Sequence, residues 1–353
     1  MLKLFFLFVT LGALFCRDRA KSWYHKFLII FLFLTIALRH KVCFIDTYGY
    51  VLEFNSLTSI PFSAIKDIWL KDVSFWYFSK FISTVSSTNY TIWFAVLSTL
   101  YIVPLYYLLK KYSNNFMISL VLFCCLGFAL FSMTGLRQTL AMSCTMGALY
   151  CLLNAKYKSF FALVMLGTLF HKTAIVFLIL YPIVKLTYSK KYLCIYLIIG
   201  VLVYYLSLKY LPILLTSNID SRFEAYVQSE NSLNYSGLIR QVLLFLLSLF
   251  LLRKNGKISQ NRIFLLMSLI GIFFQSMTGI LPEMFRVSLY FSIANIFLLA
   301  NALENITKFS FIKYSVLILL IIYFITSSNA GFLMDYYFFF QDVPTTVYNN
   351  LIF

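Results

Sequence analysis

Apolar residues run along this chain in stretches long enough to cross a bilayer, separated by short polar connections. The stretches fall near residues 2–16, 23–38, 90–109, 116–134, 137–154, 159–170, 173–184, 192–214, 238–252, 263–281, 287–302 and 314–332. They predict an all-α polytopic integral membrane protein of about twelve transmembrane helices, with 1–353 forming a single membrane domain. The first stretch, MLKLFFLFVTLGALFC, has the hydropathy of a signal peptide. No small-residue cleavage pattern follows it and RDRAK comes next, so it reads as a retained helix. The longest polar interval, 39–89, carries Ile68, Val73, Trp76, Tyr77 and Phe81 at helical spacing, which predicts an amphipathic helix lying in the membrane interface. A second interval, 215–237, and a tail, 333–353, complete the polar segments.

Charge decides how these stretches are threaded. Basic clusters at Arg17/Arg19/Lys21/Lys26, Lys110/Lys111, Lys156/Lys158, Lys185/Lys190/Lys191, Arg253/Lys254/Lys257/Arg262 and Lys308/Lys313 occupy every second connection, so all can lie in the cytoplasm together. The segment SFFALVMLGTLFHKTAIVFLILYPIV is the test of that register. Its length of about 26 residues suits one tilted helix, yet basic clusters flank both ends, which requires an even number of crossings. It is therefore expected to go out and return at 159–184 as two short helices or a re-entrant pair, turning at His171-Lys172; one long helix is the competing arrangement. In this register the intervals 39–89 and 215–237 and the tail are external, and nearly all acids join them. Only Asp18 and Glu304 stay inside.

The 353 residues are 61% hydrophobic and 12% charged, with a formal charge of +17. In a soluble chain that charge would suggest nucleic acid; here it is almost entirely orientation signal, and no nucleic-acid partner is expected. The twelve glycines never fall within two positions of one another, which excludes a phosphate loop or a dinucleotide fingerprint. Three scattered histidines and seven cysteines without a C-x-x-C pair signal neither a metal site nor a redox motif, and no cofactor is expected.

What is left for chemistry is a small external set. Arg137, Arg240 and Arg286 stand at the ends of apolar stretches, and Arg222 stands in the loop DSRFEAY. An arginine at a membrane edge either snorkels or binds an anion, and its planar fork suits a diphosphate. Ser132-Met133-Thr134-Gly135 and Ser276-Met277-Thr278-Gly279 precede Arg137 and Arg286, a short echo that marks either two half-sites or coincidence. His171 sits between two apolar halves, where an ionisable group is a candidate for function as well as a structural hydrogen bonder. Asp46, beyond the second stretch, is either a turn cap or a base or sugar-binding carboxylate.

Five motifs follow in order: D-T-x-x-Y (Asp46, Thr47, Tyr50), G-L-R-Q-T-L-A-M-S (Gly135 to Ser143), F-H-K-T-A-I (Phe170 to Ile175), R-F-E-A-Y (Arg222 to Tyr226) and F-R-V-S-L-Y-F (Phe285 to Phe291). Together they resemble the EpsG-like branch of the Wzy polysaccharide polymerases over about 40–300. Cys43-Phe44-Ile45 stand where better-known members place a glycine before the aspartate. The resemblance implies a GT-C-like glycosyltransferase of the bacterial inner membrane, active on the periplasmic face. It would transfer a growing undecaprenyl-diphosphate-linked chain onto the next lipid-linked repeat unit, in O-antigen, capsule or exopolysaccharide synthesis. Membrane lipids and a chain-length regulator protein are the implied partners. In that scheme Arg137, Arg286, Arg222 and Arg240 hold the diphosphate, His171 or Asp46 is the base, and Tyr50, Gln138, Tyr226 and Tyr290 bind substrate. An O-antigen ligase would share this chemistry. A lipid-linked oligosaccharide flippase would also need cations for the diphosphate, but along a path through the membrane.

Overall fold

The computed structural model describes residues 21–186, 205, 236–254, 256–279, 281, 283–304, 315–322, 336–344 and 347. The described residues are mostly helical, with no β-strand among them; an isolated antiparallel bridge joins Arg39 and Phe338. Among the described residues three helices are long and apolar enough to cross a bilayer, Tyr90–Tyr112, Ser236–Lys254 and Met284–Glu304, or four if the bent pair Phe116–Cys125 and Phe128–Thr134 is one span. This fits a membrane protein, although these spans do not add up to the expected twelve. The stretch 2–16, the stretch 192–214 except for residue 205, most of 314–332, the loop 215–237 except for its last two residues and most of the tail lie outside the described residues.

The chain forms two compact units, residues 1–175 with 306–353, and residues 176–305. In the first, α1 (Lys21–Ala37) packs on α5 (Tyr90–Tyr112). Between them in sequence come α2 (Ile45–Ser56), the single turn α3 (Ile65–Ile68) and α4 (Val73–Val85). Most of the interval expected to be loop is thus helical. The spacing that predicted an amphipathic helix at 68–81 is only partly a buried face: Trp76 is buried, while Ile68 and Phe81 are exposed. The face α4 turns inward is Phe75, Trp76, Ser79, Lys80, Ile82 and Ser83.

The apolar stretch 116–134 is two helices, α6 (Phe116–Cys125) and α7 (Phe128–Thr134), bent by 52°. Gly127 sits between them at φ +87, a conformation that a side chain would make costly. Hydropathy carries no trace of this break, because both sides of it are equally apolar. α8 (Leu136–Leu153) is buried nearly all round and packs against α5 and against α9 (Tyr157–Phe170).

α9 ends where the charge pattern asked for a turn. His171 is extended (φ −155, ψ 116), a 3-10 run follows over Lys172–Ile179, and α10 covers Leu180–Leu186. Residues seven apart in a continuous helix lie about 10 Å apart, but Ala174 Cβ is 3.5 Å from the place a Cβ on Gly167 would occupy. The chain therefore folds back at His171.

Two polar anchors hold the first unit's joints. Arg39, 1% exposed, lies 3.9 Å from the centre of the Phe94 ring and donates to the Ile36 carbonyl and, at 3.2 Å, to Met133 O. Thr47 Oγ1 donates to the same Met133 carbonyl at 2.7 Å. Both satisfy the end of α7, whose last carbonyls have no helical partner. Cys43 and Phe44, at the departure from the family's glycine, are buried, and the Cys43 thiol reaches Tyr337 O.

The second unit packs α11 (Ser236–Lys254) and α12 (Arg262–Ser276) with α13 (Met284–Ser292) and α14 (Ala294–Glu304). Gln241 Nε2 donates to Gln275 Oε1 and Ser288 Oγ, and Ser288 donates to Gly271 O, a chain that links α11, α12 and α13, while Gln241 Oε1 is buried without a partner among the described residues.

Gly167 is what lets α9 approach α8. A Cβ there would lie 3.1 Å from Cys144 Cβ and 3.2 Å from Ala141 O. Gly167→Leu should destabilise the protein by about 1–3 kcal/mol through overpacking, seen as a lower melting midpoint of the purified protein in detergent, with Gly167→Ala milder. An unchanged midpoint for Gly167→Leu would refute this close packing.

Candidate functional site

α8 and α9 are antiparallel neighbours joined by the short link 154–156, so the start of one and the end of the other lie together. Arg137 is the second residue of α8 and His171 the first after α9. Between them stands Asp72, immediately before α4. Its Oδ2 accepts from Arg137 Nη1 at 3.2 Å and pairs with His171 Nδ1 at 3.0 Å. The Lys172 backbone N–H also points at this carboxylate. The Asp72 side chain is 7% exposed and that of His171 15%.

Local backbone aims the carboxylate. Asp72 is left-handed (φ 53, ψ 42), and although it occupies the cap position of α4, its side chain does not cap the helix. That conformation costs about 1 kcal/mol outside glycine, with aspartate among the residues that tolerate it best. The turn instead directs the carboxylate toward Arg137 and His171. Beneath it, Phe75, Trp76, Trp93, Phe94, Leu136 and Leu140 form one buried cluster with Val51 and Phe54 of α2 and Leu57 just beyond its end. Helices α2, α4, α5 and the start of α8 are thereby fixed against each other.

Arg137 is held from its other side. Its Nε donates to Tyr50 Oη at 3.0 Å, and its guanidinium lies 5.7 Å from the centre of the Tyr50 ring. Tyr50 reaches it because Thr47, one turn earlier, ties α2 to Met133 at the α7–α8 joint. The D-T-x-x-Y spacing is a helical i, i+3 pair with the threonine facing in and the tyrosine facing Arg137. Two N–H groups of Arg137 are committed to Tyr50 and Asp72. The rest of the fork has no partner among the described residues, and the side chain is 31% exposed.

Burial alone would push the Asp72 carboxyl up. The hydrogen bond and charge of His171, with the charge of Arg137 and the Lys172 N–H, outweigh that and hold it below the usual carboxylate range. An ionised Asp72 only accepts, so His171 Nδ1 carries a hydrogen, and in the neutral form of the ring the lone pair would lie on Nε2. Nε2 is buried and has no hydrogen-bond partner among the described residues. The arrangement offers an oriented base, a partly free guanidinium and a carboxylate binding both.

The other sequence candidates are placed differently. Asp46 lies exposed in the first turn of α2, where a negative charge favours the helix N-terminus, and is not part of this network. Gln138 is buried in α8. In the second unit Arg240 is partly buried in the first turn of α11, Arg286 is exposed and pairs with Glu283 at 3.1 Å, and Tyr290 is 1% exposed in the core. Arg222 and Tyr226 lie outside the described residues. Asp72 is absent from the sequence candidates, where it was only one of the external acids. Among the described residues no group of three or more His, Cys, Asp or Glu could hold a metal ion.

The motif order resembles one family, and the sequence model of that family matches residues 23–341. The chain belongs to the EpsG family. No curated protein and no solved structure matches it. EpsG-family membership makes it a polysaccharide-polymerase-like membrane protein, in a family that is generally glycosyltransferase-like.

For this EpsG-family site the low titration of Asp72 has a defined sign. A carboxyl depressed on folding contributes stability that is fully present above its unfolded value and is lost as pH falls through the lower folded value. Asp72→Asn should cost about 2 kcal/mol at neutral pH, the scale of a hydrogen bond to a charged group. The melting-midpoint gap to wild type should close once the pH falls below the usual carboxylate range. A gap that persists in acid would mean that the ionised carboxylate is not what stabilises the site.

Proposed function

We propose that the protein is a polysaccharide polymerase that transfers a growing undecaprenyl-diphosphate-linked glycan onto the next lipid-linked repeat unit. The observation that carries this is the joining of Arg137 and His171 on one buried carboxylate oxygen. In the reaction the acceptor sugar hydroxyl attacks the anomeric carbon of the donor, and the bond from that carbon to the diphosphate oxygen breaks. The electron pair leaves with the lipid diphosphate, where the free part of the Arg137 fork stabilises the developing charge. The hydroxyl proton passes to His171 Nε2, and Asp72 stabilises the imidazolium that forms. Tyr50 keeps the guanidinium in place.

The charges at the helix ends support one side of the membrane. Lys156 and Lys158 lie at the α8–α9 link, the opposite end of these helices from Arg137 and His171. With the basic link in the cytoplasm, the site faces the periplasm of an inner-membrane protein. About twelve crossings of a GT-C-like fold accommodate that orientation. The product would be O-antigen, capsule or exopolysaccharide, with a chain-length regulator protein as a further partner.

Arg137→Ala and His171→Ala should each abolish long-chain polysaccharide in cells while leaving protein level intact. With purified protein, turnover should fall by about 10²–10⁴-fold for the histidine and about 10²–10³-fold for the arginine. Cells lacking the protein should cap lipid A core with a single repeat unit if the product is O-antigen. Bare core would point to a ligase or flippase, and normal chain-length ladders from either substitution would refute the assignment.

A further inference from the structure

α2 has two unlike faces. Thr47, Val51, Phe54 and Leu57 are buried, while Asp46, Gly49, Tyr50 and Glu53, at helical spacing on the other side, are exposed or half-buried. Asp46 and Glu53 stand about 10 Å apart along the axis. The space between is open: a Cβ on Gly49 would meet nothing within 4 Å. This stripe runs beside Arg137, whose charge Glu53 feels and whose Nε is held by Tyr50.

An aromatic platform borders the stripe. Trp69 is half-buried and stacks on Trp76 with ring centres 4.8 Å apart and planes within 22°. Trp76 is 2% exposed and also touches the Tyr50 ring at 6.1 Å, so Trp69 is backed by a fixed core ring. Burial pushes the Glu53 carboxyl up, and the nearby Trp69 side chain and the Arg137 charge act against that. Trp69 is extended (φ −110, ψ 101), which turns its ring to the side opposite its neighbours Ile68 and Leu70, 52% and 81% exposed. Ile68 and Leu70 suit lipid. The Trp69 side carries two carboxylates and a phenol, with Leu52, 53% exposed, at its margin on α2.

A rigid indole beside carboxylate acceptors matches a sugar ring, which offers an apolar C–H face and a rim of hydroxyl donors. We propose that Asp46, Tyr50, Glu53 and Trp69 form a glycan-binding subsite that holds the sugars of a lipid-linked substrate beside Arg137. The subsite rests on the polymerase reading for the identity of that substrate, but the sugar affinity does not depend on transfer chemistry.

The probe is the repeat-unit oligosaccharide released from its lipid diphosphate by mild acid, added to the purified full-length protein and followed by saturation-transfer NMR. Wild type should bind it, Glu53→Gln and Trp69→Ala should each weaken binding about tenfold or more, a change worth about 1.4 kcal/mol per factor of ten, and Trp69→Phe should retain most of it. Gly49→Phe tests the place without disturbing packing, since it fills open space, and should block binding while the protein melts as wild type does. Wild-type affinity in Glu53→Gln and Gly49→Phe overturns the subsite, even if Arg137→Ala still stops polymerisation. Absence of binding to wild type overturns it as well. Reduced retention of Trp69→Ala in vesicles with unchanged sugar affinity overturns it in favour of a lipid anchor. Loss of sugar binding in these variants, in a protein that proves unable to polymerise, upholds the subsite and refutes only the polymerase reading.

Discussion

A single carboxylate oxygen holds the site together. Arg137 and His171 come from the ends of two packed helices, and a guanidinium beside an imidazole that must take up a proton is a repulsive pair. Asp72 Oδ2, bonded to both at 3.2 and 3.0 Å, turns that repulsion into a bridged arrangement. Burial strengthens the bridge because little water competes for it. It also makes the bridge demanding, since removing any one member leaves a buried polar group without its partner. The left-handed turn at Asp72, the close approach at Gly167 and the Thr47 anchor on Met133 all serve to place these three side chains within hydrogen-bond reach.

All three residues occupy helix ends. Asp72 precedes the N-terminus of α4 and His171 follows the C-terminus of α9, positions where a helix favours a negative and a positive group respectively. Arg137 stands in the first turn of α8, the wrong end for a cation, and the carboxylate of Asp72 and the Tyr50 hydroxyl offset that. Other breaks in the helices are closed similarly. Lys80, nearly buried, donates to Leu57 O and Thr58 O at the end of α2, as Arg39 does at the end of α7. Broken helices in an apolar interior survive because side chains complete their unpaired carbonyls.

Sequence pattern reveals some of this and hides the rest for definite reasons. Arg137 and His171 are visible because ionisable groups are conspicuous against apolar stretches, and Tyr50 because its motif sits at a helix entry. The turn at His171 follows from basic residues on both flanks, which hydropathy alone would have read as one span. Asp72 leaves no such mark. It lies in an interval already rich in polar residues, and its partners are 65 and 99 positions away. Tyr290, in a motif rich in aromatics, gives no sign of pointing into the core. The bend at Gly127 depends on a backbone dihedral that composition does not encode, and the helix at 45–56 passes for loop, whereas the apolar spacing over 68–81 does signal the helix at 73–85.

The division of α2 ties fold and chemistry together. Its inward residues join the aromatic cluster that seats α4 and the start of α8, so the same helix that fixes Asp72 and Arg137 also fixes the position of Tyr50 and Glu53. A change on the inward face, at Thr47 or Phe54, would move Asp72, Arg137 and Tyr50 together. A change on the outward face touches only what approaches from solvent. Charge reinforces this separation: the acids Asp46 and Glu53 stand on the open side, while Asp72 is withdrawn and its Oδ2 is bonded to both Arg137 and His171. A carboxylate that must orient a base is best buried, and one that exchanges water for ligand hydroxyls is best exposed; α2 and the turn before α4 place each kind in its own setting.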